Sequence, residues 1–406
     1  MASIAPLPAG ARPCVWLLCG GPSSEYHVSL ASARGVLLAM DFDAHSVRVA
    51  CLTPDGRWLL TPHAFYSAPS ESVVDDLFAL LQHPDSYPLS LTLSEALKVI
   101  EMDRPHVVFN AMHGRVGEDG TMQALFQLTG IPTTGSGVAA SAIAMDKVRS
   151  RELFRNAGLA VPRHIAWNNR AGRPRPGAQD VMEACGFPCI VKPAAGGSSF
   201  GVTLVKYARD IDAAIDAALT EGDTILIEEL LVGQELTCGV LEVRQRLMPL
   251  AVTLIRPLGA EFFDYRAKYS PGAAEEITPA PLPADDTCVV QSAAMIAHKA
   301  LGCAGYSRAD FILCEDGRLA ILEVNTLPGM TRTSLLPQGA AAMGIDMKAL
   351  VGHMIAAAAR RTGELPFGPQ STASRTARTP GIAGSVAATV AARTSGGNSN
   401  SPRRNP

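Results

Sequence analysis

Residues 308–325 read RADFILCEDGRLAILEVN, and they decide the fold of the C-terminal part of the chain. The Asp316–Gly317 dipeptide lies between two apolar runs, which is a strong signal for a β-hairpin. If these two residues form the turn, residue 308 pairs with residue 325 and residue 310 pairs with residue 323. Side chains alternate between the two faces of a strand, so residues 308 and 310 share one face. Four polar side chains then share the open end of one face: Arg308, Asp310, Glu323 and Asn325. The other face is expected to be core, with Phe311 and Leu313 against Leu322 and Ala320.

This polar cluster has the composition of a site for a hard cation. Two carboxylates and one amide oxygen suit Mg²⁺, particularly where a substrate phosphate supplies the remaining ligands. The alternative is a cross-strand salt bridge from Arg308 to the carboxylates, which needs no ligand. Two acids beside one arginine leave a negative charge uncompensated, and this imbalance favours the cation.

The first third of the chain has the pattern of β-α-β units. Three short apolar runs, typical of buried strands, alternate with two helical stretches, and this order predicts a parallel sheet. The runs are Val15–Cys19, Val47–Leu52 and Val107–Asn110, and the helical stretches are Ser29–Met40 and Leu91–Glu101.

The middle of the chain continues with two further strands and a long loop. Cys189–Val191 and Thr224–Glu228 are predicted strands, with a helix near Asp210–Thr220 between them. Tyr269–Asp286 is rich in proline and poor in apolar residues, which predicts a long loop. Loops of that length inside a compact body are often functional.

The glycine-rich segments point to phosphate binding without a P-loop. No Gly-Lys dipeptide occurs, so the P-loop pattern is absent. Residues 135–140, GSGVAA, match a dinucleotide pattern, but Arg155 and Asn156 stand where its acidic residue is expected, so we reject that interpretation. Val191–Gly201, VKPAAGGSSFG, instead delivers Lys192 from a strand into a Gly/Ser loop, where backbone N–H groups can approach phosphate oxygens. The alternative is a flexible surface turn.

Composition and charge exclude several classes of protein. The chain has 406 residues, which suggests two to three domains, and its net charge of −3 argues against nucleic-acid binding. Residues 367–406 contain five Arg and no Asp, Glu or Lys, so a +5 tail masks a net charge of −8 on residues 1–366. No apolar run approaches the roughly 20 residues of a membrane span. The nine scattered cysteines are expected to be reduced, and the chain is predicted to be cytoplasmic.

Seven motifs occur in the order and spacing of a known family. They are GGPSSEYHVSLAS, HGRVGEDG, GSGVAASAIAMDK, VKPAAGGSSFGV, EELLVGQE, FDYRAKY and LEVNTLPGMTRTSLLP. Over about residues 14–363 the chain resembles the D-alanine–D-alanine ligase family of the ATP-grasp superfamily. The resemblance implies a three-domain α/β (α+β) fold. Its domains are an N-terminal parallel-sheet domain at 1–135, a central lid domain at 136–231 and a C-terminal ATP-grasp domain at 232–365. Outside the resemblance, the composition of Ser, Thr, Ala, Gly, Pro and Arg from Pro366 onward predicts a disordered basic tail at 366–406.

The resemblance also implies roles for individual residues. Asp310, Glu323 and Asn325 would hold two Mg²⁺ ions, which Mn²⁺ can replace. Lys147 and Lys192 would contact the phosphates of ATP, and Glu228, Glu229, Leu231 and Glu235 its adenine and ribose. Glu25 would receive the ammonium group of the first substrate and form a triad with Ser198 and Tyr269; Lys268 and Tyr269 would lie on a mobile omega loop. Arg308 and the Gly329 N–H would stabilise the tetrahedral intermediate, Ser334 and Leu335 would bind the second carboxylate, and His113 would lie near the first substrate.

The implied activity is the joining of two D-alanines through an acylphosphate, for peptidoglycan precursor synthesis. The implied partners are ATP and D-alanine, with a homodimer expected and neither a membrane nor a nucleic acid involved. By the same resemblance, Tyr269 favours an amine as the acceptor. Leu230 is a departure, because a larger aromatic residue often occupies this position in the family. A related ligase with D-serine, D-lactate or another amino acid as second substrate remains open. A catalytically inactive ATP-binding protein is disfavoured, because all metal and phosphate positions are intact.

Overall fold

The N-terminal part of the chain forms a five-stranded sheet in the order β4-β3-β2-β1-β5. We describe a computed structural model, which covers residues 12–196, 201–258 and 274–361. The strands are β1 (Cys14–Gly20), β2 (Ser46–Leu52), β3 (Trp58–Leu60), β4 (Ser90–Leu91) and β5 (Val107–Asn110). Strand β1 pairs in parallel with β2 and β5, which confirms the predicted parallel sheet, and β3 and β4 add an antiparallel edge. Every residue of β1 and β2 is buried, since apolar clusters cover both faces of the sheet.

Five helices follow or flank these strands, and two of them were predicted. They are α1 (Tyr26–Ala39), α2 (Glu71–Gln82), α3 (Leu93–Asp103), α4 (Thr121–Thr129) and α5 (Val138–Met145). Thr92 caps α3 with a capping box that includes Glu95, which explains why that helix begins where it does. Helix α1 begins directly after the Gly20–Glu25 loop, so its N-terminal end lies at the carboxyl end of β1.

The central part of the chain forms a four-stranded antiparallel sheet in the order β6-β9-β7-β8. The strands are β6 (His164–Asn168), β7 (Cys189–Pro193), β8 (Thr203–Val205) and β9 (Thr224–Glu229). The helices are α6 (Lys147–Asn156), α7 (Ala178–Ala184) and α8 (Ile211–Leu219). A separate apolar cluster that includes Trp167, Val181 and Ile215 forms the core between this sheet and α7 and α8.

The C-terminal sheet has five antiparallel strands in the order β12-β11-β10-β13-β14. The strands are β10 (Gly233–Val243), β11 (Arg246–Pro257), β12 (Ala274–Ile277), β13 (Tyr306–Cys314) and β14 (Leu319–Asn325). The helices are α9 (Ala284–Ala300), α10 (Leu335–Ala341) and α11 (Met347–Arg360). Helix α9 covers one face of this sheet, whereas the apolar face of α11 joins the core of the N-terminal sheet.

The 308–325 hairpin differs from its predicted form in the turn. Arg308 pairs with Asn325 and Asp310 with Glu323, as expected, but beyond Asp310 the register shifts by one. The turn contains three residues, 315–317, because Cys314 already bonds to Arg318. A bulge at Leu322 restores the register at the open end. Ile321 therefore packs opposite Phe311 in the core, and Leu322, which the two-residue turn had placed there, lines a cavity instead.

The predicted loop at Tyr269–Asp286 is also corrected. Ala274–Ile277 form β12 at the edge of the sheet, and α9 begins at Ala284, so only the intervening residues are a described loop. Residues 269–273 and the tail at 366–406 lie outside the described residues. The domain boundaries at residues 135 and 231 remain a prediction. In the described ranges, no helix is long and apolar enough to cross a membrane.

Candidate active site

A cavity of about 1000 Å³ receives side chains from all three sheets and their loops. It brings together half of the residues that the sequence assigned to the site. They are Glu25, Lys147, Lys192, Glu228, Glu229, Leu231, Glu235, Asp310 and Glu323, with Leu230 beside them. The remaining described residues of that set lie outside the lining, next to it: His113, Arg308, Asn325, Gly329, Ser334 and Leu335. Ser198, Lys268 and Tyr269 lie outside the described residues.

The Asp310 carboxylate is held by two neighbours. Arg308 grips it with Nε and one terminal nitrogen, at 2.9 and 2.8 Å, in a two-point ion pair. The hydroxyl of Thr237, which faces Asp310 from β10, donates to Oδ1 at 2.7 Å. This ion pair lies within β13, so it is not the cross-strand salt bridge weighed as an alternative. Thr237 was missed from the sequence, since its role depends on strand pairing across 73 positions.

Glu323 and Asn325 complete the polar face of the hairpin. Nζ of Lys147 lies 3.1 Å from Oε2 of Glu323, and Oδ1 of Asn325 accepts from the backbone N–H of Leu327 at 2.8 Å. Lys147 therefore supplies the second positive charge whose absence had favoured a cation. The donor set still fits Mg²⁺: two carboxylates that line the cavity and a neighbouring amide supply hard oxygens from one face of one hairpin.

The Lys192 side chain, which is 12% exposed, lies beside a buried acid and a buried second cation. Its Nζ lies 2.6 Å from Oε1 of Glu228, and Arg151 on α6 binds the other oxygen of the same carboxylate. Burial lowers the pKa of Lys192 to about 8, although Glu228 acts in the opposite direction. Burial alone would raise the pKa of Glu228, but Lys192 and Arg151 together lower it. Two cations share one carboxylate, so this buried cluster carries a net positive charge when Lys192 is protonated.

The loop after Lys192 packs against the start of α6. The backbone N–H of Lys147 donates to the carbonyl of Ala194 at 2.9 Å, and Nζ of Lys147 donates to the carbonyl of Gly196 at 2.8 Å. Asp146 caps the helix through its side chain, which accepts from the N–H groups of residues 148 and 149. The two lysines assigned to phosphates are therefore connected by backbone contacts. These hydrogen bonds hold the described part of the loop, up to Gly196, against α6. They do not agree with the alternative interpretation of this part as a flexible surface turn.

Glu229 is fixed by two arginines. Nε of Arg163 lies 2.8 Å from Oε2, and a terminal nitrogen of Arg318 lies 2.8 Å from Oε1. Burial would raise the pKa of Glu229, but Arg318 and Arg163 outweigh it and lower the pKa to about 2. Arg318 follows the turn of the 308–325 hairpin, so the ion pairs tie the C-terminal sheet to the end of β9.

Glu25 and His113 lie on two loops in contact. Ser23 donates to the backbone carbonyl of His113 at 2.7 Å, and a Cβ atom at Gly114 would lie 2.7 Å from Oε2 of Glu25. Glu25 immediately precedes α1, where the helix dipole favours a negative charge. The His113 side chain is buried, with Nε2 2.8 Å from Ser32 and Nδ1 3.6 Å from Glu118. Burial raises the pKa of Glu118, and neither partner was identified from the sequence.

Ser334 closes the turn that contains Gly329. It precedes α10, and its hydroxyl accepts from the backbone N–H of Thr331 at 3.0 Å. A Cβ atom at residue 329 would lie 2.8 Å from that hydroxyl oxygen, so glycine is needed for this close approach. Gly329, Ser334 and Leu335 thus form one compact turn after β14, near the hairpin cluster.

Comparison with known proteins agrees with this architecture. The family models described as D-ala D-ala ligase N-terminus and C-terminus match residues 14–136 and 153–356. The chain is 40% identical over 343 residues to the D-alanine–D-alanine ligase of Oleidesulfovibrio alaskensis, covering 84% of this chain and 95% of that protein. It is 36% identical over 368 residues to the ligase of the same name from Streptomyces griseus, covering 86% and 94%.

Solved structures give the same result for the fold. The VanG D-Ala:D-Ser ligase from Enterococcus faecalis superposes with a TM-score of 0.72 at 29% identity, covering 85% of this chain and 99% of that one. The D-alanine–D-alanine ligase from Coxiella burnetii has a TM-score of 0.72 at 23% identity, covering 87% and 96%, which supports the fold alone. The predicted three-domain ATP-grasp fold is confirmed. Both family models and relatives that align with most of the chain lead to one conclusion: the chain belongs to the D-alanine–D-alanine ligase family.

Proposed function

We propose that this chain joins two molecules of D-alanine into D-alanyl-D-alanine at the expense of ATP, for peptidoglycan precursor synthesis. Relatives named D-alanine–D-alanine ligase, at 36–40% identity over most of the chain, support the ligase activity predicted from the sequence. The observation that carries the proposal is the cavity itself. Its lining contains Lys147 and Lys192 together with the carboxylates of Asp310, Glu323 and Glu25.

The reaction needs activation of a carboxylate. A carboxylate is a poor acyl donor because its leaving group would be oxide, so the first D-alanine must receive the γ-phosphoryl group of ATP. The carboxylate oxygen attacks the γ-phosphorus and ADP leaves, which gives an acylphosphate. Lys147 and Lys192 would offset the charge on the phosphates, and the net positive cluster around Lys192 suits this role.

Amide formation follows by attack of the second D-alanine. Its neutral amine adds to the acylphosphate carbon and negative charge develops on the carbonyl oxygen. The carbon–oxygen bond to phosphate then breaks, and the amine proton ends on the departing phosphate. Arg308 and the Gly329 N–H would stabilise that charge as preorganised donors. Glu25 would hold the ammonium group of the first substrate, with His113 nearby, and Ser334 and Leu335 would bind the carboxylate of the second.

The metal and nucleotide contacts are assigned from the chemistry of the lining. Asp310, Glu323 and Asn325 would hold two Mg²⁺ ions, or Mn²⁺ in their place, which would neutralise phosphate charge. Because the carboxylates of Glu228 and Glu229 are engaged by cations, we propose that the strand end they belong to contacts adenine mainly through its backbone, together with Leu231. The half-buried Glu235 would contact the ribose. Ser198, Lys268 and Tyr269 keep their sequence-based roles in closing the site.

The remaining assignments concern the setting of the enzyme. We propose a cytoplasmic homodimer that binds small-molecule substrates and neither nucleic acid nor membrane. The net charge of −8 on residues 1–366 supports the absence of nucleic acid, because nucleic-acid-binding domains are usually basic.

The proposal is tested by phosphate release from purified full-length protein with ATP and Mg²⁺. The amino acids to be compared are D-alanine, D-serine and L-alanine, together with D-lactate, and mass spectrometry identifies the product. We expect D-alanine-dependent phosphate release and the D-Ala-D-Ala dipeptide. A main product that joins D-alanine to D-serine or to D-lactate, in place of D-Ala-D-Ala, would select the alternative second substrate. The similarity to the VanG D-Ala:D-Ser ligase is the reason for testing that alternative. No release with any of them would contradict the ligase function.

A further inference from the structure

Ser32 connects two loops that are far apart in the sequence. It lies within α1, beyond Glu25, and is fully buried. Its hydroxyl oxygen lies 2.8 Å from Nε2 of His113 and 3.1 Å from the backbone nitrogen of Met330. His113 belongs to the loop proposed to lie near the first substrate. Met330 follows Gly329, whose N–H is proposed to stabilise the tetrahedral intermediate, so one side chain contacts both parts of the acyl-transfer site.

The direction of the hydrogen bond between Met330 and Ser32 follows from the two groups involved. The backbone N–H of Met330 can only donate, so the Ser32 oxygen accepts that bond. The direction of the hydrogen bond between the Ser32 hydroxyl and Nε2 of His113 depends on the tautomer of the ring, whose Nδ1 lies 3.6 Å from Oε1 of Glu118. Oε2 of Glu118 accepts from the backbone N–H of Gly114 at 2.9 Å. Ser32 therefore joins the Met330 peptide to the His113 ring, and Glu118 holds the next residue of the same loop, Gly114.

Met330 is also fixed on its carbonyl side. A Cβ atom at Gly35, one turn further along α1, would lie 2.5 Å from the carbonyl oxygen of Met330, so only glycine allows this approach. The Met330 side chain is buried in the core that also contains Leu30 and Leu327. Helix α1 therefore holds the turn after β14 by a hydrogen bond, a backbone contact and a buried side chain.

We propose that Ser32 is a positioning residue for the second half of the reaction. It fixes the turn that contains the Gly329 N–H relative to the loop that contains His113, and it acts through Met330 rather than on the substrate. This inference rests on the proposed function, from which it takes the roles of Gly329 and His113. An oxyanion donor is effective only within about 2.7–3.1 Å of the developing charge, so a small shift of the turn removes most of its effect.

A purely structural role for Ser32 predicts a different result. The loss of a hydroxyl that only stabilises the fold lowers both half-reactions by the same factor, through the amount of folded enzyme. The loss of a positioning bond leaves phosphoryl transfer to the first D-alanine intact and slows the attack by the second amine. The first half-reaction can be measured alone, because reversible acylphosphate formation exchanges the bridging and non-bridging oxygens of isotopically labelled ATP.

The experiment compares Ser32→Ala with Ser29→Ala in the full-length chain. Ser29 is a matched control, since it is also fully buried on α1 and makes two hydrogen bonds, with the N–H of Gly20 at 2.7 Å and the carbonyl of Ala111 at 2.9 Å. We expect Ser32→Ala to lower kcat for dipeptide formation about tenfold, with isotope exchange and the KM for ATP retained. In Ser29→Ala the ratio of the two rates should stay at the wild-type value.

Gly35→Ala is an independent variant that keeps the Ser32 hydroxyl. Alanine has the higher helix propensity, so α1 is not weakened, whereas the new methyl group displaces the Met330 carbonyl. We expect the same selective loss of kcat. An equal fall of exchange and dipeptide formation in both variants, or no selective fall in either, would overturn the role of Ser32. A wild-type chain that forms no dipeptide would contradict the proposed function instead, so the two failures can be distinguished.

Discussion

Replacing Lys192 with methionine should abolish activity and yet make the ligand-free protein more stable. Lys192 and Arg151 share the single carboxylate of Glu228 in a buried cluster. Lys192→Met removes one cation, and the remaining Arg151–Glu228 pair is electrically neutral. The same change removes a point charge proposed to bind the phosphates of ATP. Stability and activity are therefore expected to move in opposite directions.

The magnitude follows from the pKa of the lysine. A fall from 10.5 to about 8 on burial corresponds to about 3 kcal/mol against the protonated form. This is an upper limit for the gain in the free energy of unfolding, because methionine forfeits the hydrogen bond to Glu228. Between pH 8 and 10.5 the unfolded chain holds the lysine proton more tightly than the folded chain does, so wild-type stability should rise with pH in that window. Lys192→Met should lack this contribution.

The assay is urea unfolding of the ligand-free protein, followed by tryptophan fluorescence at pH 7.5 and pH 9.5. Two controls bracket the result. Lys348→Met removes a half-exposed lysine that pairs with Asp41, and should change the free energy of unfolding by less than about 0.5 kcal/mol. Glu228→Gln leaves two buried cations without their carboxylate, and should be destabilising by about 3–5 kcal/mol.

Two outcomes would refute this reasoning. If Lys192→Met lowers the free energy of unfolding as far as Glu228→Gln does, then the cluster around Glu228 does not carry an excess of positive charge. If wild type and Lys192→Met respond equally to the rise in pH, then the lysine does not lose its proton in that window. ATP with Mg²⁺ should stabilise the wild type but not Lys192→Met, and this difference separates the binding role from the stability effect.

Three further predictions address other parts of the molecule. Asp310→Asn should lower Mg²⁺-dependent phosphate release by about 100-fold or more with an unchanged far-ultraviolet dichroism spectrum, and wild-type activity would contradict the metal assignment. Glu229→Gln should lower the free energy of unfolding by about 1–2 kcal/mol at pH 7, a value reduced by the exposure of Arg163. Because the folded-state pKa of Glu229 is about 2, that difference should persist down to its ordinary pKa near 4.5 and shrink below it, which unfolding at pH 7 and pH 3.5 would measure. Deleting residues 367–406 should leave kcat unchanged, since the family match ends at residue 356, and a large loss would show that the tail contributes to the site.

The open end of the hairpin could be predicted from the sequence, but its turn could not. The pairing of Arg308 with Asn325 and of Asp310 with Glu323 agrees with the structure. The three-residue turn and the bulge at Leu322 shift the register by one residue each, and the two shifts cancel before the polar end. Alternation of side chains is a local rule, so it cannot reveal a pair of compensating insertions. Two residues that had been placed on the core face show the difference: Leu322 lines the cavity, and Ala320 pairs with Ile312, which also lines it.

The partners of the site residues were the least predictable part. Three arginines contact the acids at the end of β9: Arg151 from α6, Arg163 from the residue before β6, and Arg318 from the end of the hairpin turn. No spacing in the sequence relates these arginines to each other. Ser32 and Glu118 were missed for the same reason, since no motif in the sequence relates them to His113. Motifs identify groups that act on substrate, whereas the groups that hold them depend on tertiary contacts.

The charge balance that we counted from the sequence for the hairpin was incomplete. From the sequence, Asp310 and Glu323 had only Arg308 to oppose them, and the excess negative charge suggested a cation. The structure adds Lys147, so the four side chains are neutral as a group without any ligand. A neutral cluster needs no metal to fold, yet a nucleotide phosphate would compete with the carboxylates for the same two cations. The ion pairs therefore keep both sets of charges in place for the proposed ATP and Mg²⁺, and this arrangement predicts that the hairpin folds without either ligand.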